Sequence, residues 1–123
     1  MKIILAIGLG SFLGGISRYL LVQYIQTKSL SAFPFGTLAV NVTGCLFIGI
    51  VLGLYQRQAL PVDWVLFLAI GVLGGFTTFS AFSSEAVTML RDGQIISSIT
   101  YILGSVLLGL LATAAGLFLV KLI

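Results

Sequence analysis

Apolar positions run along this chain in four long blocks, from about Ile3 to Val22, Phe35 to Tyr55, Val62 to Leu90 and Ile95 to Val120. Short polar connections separate them at Gln23–Pro34, Gln56–Pro61 and Arg91–Gln94, where Pro34, Pro61 and the pair Asp92-Gly93 supply turn chemistry. Each block has the roughly 20 apolar residues a helix needs to cross a ~30 Å hydrocarbon core. They are too long and too uniformly apolar for the alternating strands of a membrane barrel. An open strand in lipid has no backbone partner. The pattern therefore predicts an all-α membrane protein of four transmembrane helices, with residues 1–123 forming a single domain. The first block is too long for the core of a signal peptide and lacks a small-residue cleavage site, which predicts a retained helix.

Composition narrows the function classes. The chain is 59% hydrophobic and only 7% charged, with mean hydropathy +1.23. A soluble domain is about a quarter charged, so a soluble enzyme and a disordered chain are both excluded. Six Lys+Arg against three Asp+Glu give a net charge of +3. The basic residues are scattered singly, which leaves no patch for a nucleic-acid backbone. Histidine is absent, and with it the commonest general base and a common metal ligand. The single Cys45 cannot form an internal disulfide and behaves as a small hydrophobe. The partner that remains is a lipid bilayer.

Orientation is weakly specified. With both termini inside, the inner side holds Lys2, Arg57 and Lys121 and the outer side holds Lys28 and Arg91. An excess of one basic residue hardly engages the positive-inside rule. Two oppositely oriented copies can then pair about a twofold axis in the membrane plane. The alternative is that one charge, or the insertion machinery, settles a single orientation.

The third block predicts a broken third helix. It reads Gly71-Val-Leu-Gly74-Gly75-Phe76-Thr77-Thr78-Phe79-Ser80-Ala-Phe82-Ser83-Ser84-Glu85. Adjacent glycines followed by two threonines weaken a helix through backbone entropy and β-branching. An interruption at Gly74–Thr78 falls near the bilayer midplane, where irregular backbone is tolerated only inside protein or along a cavity. Carbonyls freed there suit a hard cation, and in an antiparallel pair two from each chain make a four-oxygen cage. The alternative is a glycine kink closed by threonine hydroxyls.

Polar residues gather on three blocks. Thr77, Ser80 and Ser84 share one helical spacing, with Phe79 and Phe82 on an adjacent stripe. Thr37 and Asn41 sit four apart, as do Ser97, Tyr101 and Ser105 in succession. Hydroxyls and an amide donate hydrogen bonds without a fixed charge. That suits a small anion, which must shed water and still be able to leave. Phenyl rims add a weak positive field. A cation pathway favours acids within the spans, and here the only acid well inside a span is Glu85, toward a helix end. Arg18, in Gly14-Gly15-Ile16-Ser17-Arg18-Tyr19, either snorkels to the interface or lines an anion-attracting vestibule. Pairs of glycines four apart (Gly10 and Gly14, Gly49 and Gly53, Gly71 and Gly75) suit close helix packing.

These residues resemble the bacterial fluoride channels of the Fluc (CrcB) family. The likeness spans essentially the whole chain. It rests on Gly14-Gly15-x-x-Arg18-Tyr19, on Pro34-Phe35-Gly36-Thr37-Leu38-x-x-Asn41 with Gly44 following, and on Gly74-Gly75-Phe76-Thr77-Thr78-Phe79-Ser80-x-Phe82. The resemblance implies an antiparallel, dual-topology homodimer with two pores in the bacterial cytoplasmic (inner) membrane. It implies passive, selective export of fluoride that protects the cell. It also implies a structural sodium ion held by the backbone carbonyls of Gly74 and Thr77. Pore positions matching the family are Phe79, Phe82 and Asn41, with hydroxyls at Ser80, Thr37, Tyr101 and Ser105 along the path and Arg18 near the vestibule. A small multidrug-type exporter is the alternative, but that class needs an acid in the first span, where this chain has Arg18. A non-transporting assembly factor explains the glycines but not the converging polar faces.

Overall fold

The computed structural model describes residues 1–123. In chain order it contains α1 (Lys2–Ser29), α2 (Phe35–Gln56), α3 (Val62–Val65), a π-helical stretch Leu66–Leu73, α4 (Gly74–Phe76), α5 (Phe79–Arg91) and α6 (Ile95–Lys121). The pieces from α3 to α5 form one span, Val62–Arg91, so four helices are long and apolar enough to cross a membrane. Of 99 backbone hydrogen bonds, 85 lie within helices, which is the internal satisfaction that lipid demands.

The spans follow the apolar blocks, with one clear extension. Nothing between Gln23 and Ser29 breaks a helix, so α1 continues past the expected boundary at Val22. It stops where Leu30 takes a left-handed backbone (φ 49°). Gln26 then ties down the following turn. Its Nε2 donates to the carbonyls of Ser31 (2.7 Å) and Phe33 (3.1 Å). The last turn, before α6, uses Gly93 at φ 77°, a conformation that suits a residue without a Cβ.

Two close seams organise the packing. In one, α1 lies against the π-helical stretch and α4. A Cβ on Gly14 would run into the Val72 carbonyl, and one on Gly75 into the Ser11 carbonyl. In the other, α2 lies against α6, where a Cβ on Gly49 would meet the Thr113 carbonyl and one on Gly116 the Leu46 carbonyl. Small residues let backbones approach where lipid supplies no hydrophobic drive. The seams leave little interior, since 18 of 123 residues are buried. The one buried apolar cluster, Ala86, Met89 and Tyr101, is backed by Phe33, Leu38, Phe82 and Ile102.

The third span is interrupted, though later than the glycines suggest. Gly74, Gly75 and Phe76 stay helical. Extended backbone is confined to Thr77 (ψ 157°) and Thr78 (φ −149°, ψ 121°), near the middle of a 30-residue span. Upstream, eight residues wind as a π-helix, a form frequent beside functional sites.

Candidate functional site

The break is held from outside its own helix. Thr78 loses its helical partner, and the Asn41 side chain on α2 replaces it. Asn41 Oδ1 accepts from the Thr78 backbone N–H (2.8 Å), while its Nδ2 donates to the Thr78 carbonyl (3.0 Å). Arg18 on α1 donates to the carbonyl of Thr77 (3.3 Å). With α1 extended to Ser29, Arg18 lies well inside the helix rather than toward its end, and its guanidinium turns inward to the break rather than out to the interface. Part of the repair is local. The Thr77 hydroxyl donates to the Leu73 carbonyl (3.0 Å), and the Thr78 hydroxyl caps α5 by accepting from the Ala81 N–H (3.2 Å).

Thr77 therefore does not share a helical face with Ser80 and Ser84, as its spacing suggests, because α5 starts only at Phe79. Ser80 lies beside the cap, its hydroxyl 3.2 Å from that of Thr78. Ser97 is only half-buried, whereas its neighbour Ser98 is buried and bonds the Ala86 carbonyl.

Three cavities line up along these residues. A groove of about 440 Å³ is lined by Asn41, Gly74, Thr77, Thr78, Phe79, Phe82 and Ser105, among others. A cleft of about 450 Å³ is lined by Arg18, Thr37, Thr78, Ser80 and Glu85 with their neighbours. A mouth of about 210 Å³ is lined by Glu85, Ser84, Thr88 and Asp92 beside the turn at Pro34. Thr78 borders both groove and cleft, and Glu85 borders both cleft and mouth. The break and one carboxylate thus stand at the two partitions.

The groove is mainly apolar and uncharged, with two phenylalanines among its lining. The rings of Phe79 and Phe82 are tilted at 49° with centroids 5.5 Å apart, and Phe82 packs against Tyr101 at 5.2 Å. Phe79 is 79% exposed within the single chain. The Ser105 hydroxyl is buried without a hydrogen-bond partner, which is costly unless something else meets it.

Glu85 is the residue that spacing undervalued. Its two carboxylate oxygens accept from the Thr37 hydroxyl (2.7 Å) and the Tyr101 phenol (2.7 Å). Thr37 and Tyr101 are both buried, so two expected donors already face a carboxylate. The available signal was the cost of an acid inside a span, which makes such a residue functional by default.

Comparison with known proteins is consistent from end to end. The model of the family described as "CrcB-like protein, Camphor Resistance (CrcB)" matches residues 5–117. A protein of Phocaeicola vulgatus named "Fluoride-specific ion channel FluC" is 45% identical over 96% of this chain and 98% of its own length. Proteins of the same name from Rhizobium meliloti (45% identical, 98% of each chain) and Thermus thermophilus (43% identical, 91% of this chain and 88% of the relative) are similar throughout.

Proposed function

This chain belongs to the CrcB family, and we propose that it is a fluoride-selective channel, a multi-pass membrane transporter rather than an enzyme, through which the anion moves passively out of the cell. Relatives bearing the name of a fluoride-specific ion channel match nearly its full length. The observation that carries the reading is the set of hydroxyls and one amide along the groove and cleft. Asn41 and Ser105 line the groove with Phe79 and Phe82, and Thr37 and Ser80 line the cleft. The Ser105 hydroxyl has no partner in the chain, the Asn41 amide has a second N–H, and the hydroxyls of Thr37 and Tyr101 are held by Glu85. Uncharged donors replace the hydration shell of a small anion without trapping it, and the ring edges add a weak positive field. Arg18, beside the cleft, raises the local concentration of anions.

A second copy completes the site in this reading. Phe79 and the groove at the break lie open on the single chain, and the near balance of basic residues between its two sides favours opposite insertion. An antiparallel homodimer covers the groove and sets two breaks face to face. The residues there suit a structural sodium ion. No cluster of His, Cys, Asp or Glu offers another metal site. Gly74 and Thr77 both line the groove, and a carbonyl has two lone pairs, so Thr77 can serve Arg18 and still face a cation. Their carbonyls would hold the ion, which would bind the two chains together. The location that fits is the bacterial cytoplasmic membrane, where the membrane potential drives the anion outward.

Fluoride efflux from proteoliposomes, read with a fluoride electrode against a chloride control, tests the channel. Rapid fluoride loss with chloride retained is expected; equal loss of both, or none, refutes it. Exchanging sodium for a bulky organic cation during purification tests the ion. Loss of the dimer or of flux is expected, and an active dimer without sodium removes that part of the reading.

A further inference from the structure

At the membrane face opposite the mouth, α1 and the start of the third span flank an open slot of about 270 Å³ lined by Ala6, Asp63, Trp64 and Phe67. Its floor is apolar. The small side chain of Ala6 leaves room beside the Phe67 ring, which meets the Trp64 ring edge-on at 5.9 Å and 88°. Its rim is polar. Asp63 and Trp64 are both exposed and find no polar partner within the chain. The neighbouring cation Arg57 is turned away, donating to the Val120 carbonyl at the end of α6. Lys2 lies one helical turn before Ala6, on the same face of α1.

We propose that this slot binds one phospholipid with an ethanolamine headgroup. The occupant follows from charge complementarity. The Asp63 carboxylate meets the primary ammonium, which brings hydrogen-bond donors that a quaternary choline lacks. The Trp64 indole N–H and Lys2 meet the phosphate. The apolar floor takes the upper part of an acyl chain. An acid in a first helical turn also suits the helix dipole, but that role needs neither the slot nor the indole. The site lies away from the broken span, so it stands independently of the transport reading.

The test is native mass spectrometry of the purified full-length protein with matched ethanolamine, choline and glycerol phospholipids. The ethanolamine lipid is expected to bind about fivefold more than the other two, the scale of one partly exposed ion pair. Asp63→Asn is expected to abolish the preference, and Trp64→Leu to weaken binding of all three. Asp92→Asn, at the opposite face, is expected to leave the preference intact. An unaltered melting temperature and elution volume in Asp63→Asn verify that the variant is folded. Equal binding of choline lipid, preferential binding of the glycerol lipid, or a preference that survives Asp63→Asn overturns the proposal.

Discussion

The side chain of Asn41 pairs edge to edge with the backbone of Thr78, donating to its carbonyl at 3.0 Å and accepting from its N–H at 2.8 Å. An amide on α2 thus stands in for the helical neighbours that Thr78 lacks. Asn41→Asp keeps the acceptor and loses the donor, placing a carboxylate against a carbonyl oxygen. An unmet buried polar group costs about 1–3 kcal/mol, and the new charge repels an anion in the groove. Fluoride efflux is expected to fall steeply, with a lower melting temperature in detergent. Wild-type efflux from this variant would place Asn41 outside both the path and its support.

Phe79 and Phe82 separate transport from folding. Phe79 is largely exposed on the single chain, whereas Phe82 packs against Tyr101 and the buried cluster. Phe79→Ile is therefore expected to cut fluoride flux with little change in the stability of the chain. Phe82→Ile is expected to cut flux and also to destabilise by about 1 kcal/mol, since it forfeits an aromatic pair. Liposome flux and thermal melts on the same preparations check both. Unchanged flux in both variants removes the ring-edge argument.

Length and hydropathy made the four spans legible, because lipid permits few alternatives to a 20-residue apolar helix. The packing glycines were legible for the same reason: Gly14 and Gly75, like Gly49, stand where a Cβ would strike a facing carbonyl. The break was legible as a region but not to the residue. Glycines can remain helical when a neighbouring helix pins them, as α1 pins Gly75, and the chain opens instead at two β-branched threonines. The π-helical winding at Leu66–Leu73 left no sign, since the run is simply apolar. Glu85 was visible but misjudged. Proximity to a helix end implies water, yet tertiary packing set Thr37 and Tyr101 against its carboxylate.

The glycines also give a test of the seams. Gly116→Val sets a branched side chain against the Leu46 carbonyl and the Ile50 N–H, which backbone cannot yield cheaply; overpacking costs about 1–3 kcal/mol or more. Loss of folded protein on size-exclusion chromatography is expected. Gly8→Ala meets nothing within 4 Å and gains up to about 1 kcal/mol of helix propensity. A melting temperature at or above wild type is expected there. Equal tolerance of the two substitutions contradicts the close approach of α2 and α6.

Tyr101→Phe isolates the phenol beside Glu85, at the partition between cleft and mouth. The ring contacts with Phe33 and Phe82 survive the change, so the buried cluster keeps its shape. Only the donor to Glu85 is lost, leaving that carboxylate with Thr37 alone. On the proposed path an anion passing from cleft to mouth shares these hydroxyls with Glu85, and removing one leaves both short. A hydrogen bond to a charged group contributes about 1.5–3 kcal/mol, so flux is expected to fall about tenfold or more. Ring packing alone predicts normal flux, because phenylalanine preserves it. Efflux equal to wild type in a well-folded Tyr101→Phe protein would therefore assign Tyr101 to the core and route the anion elsewhere.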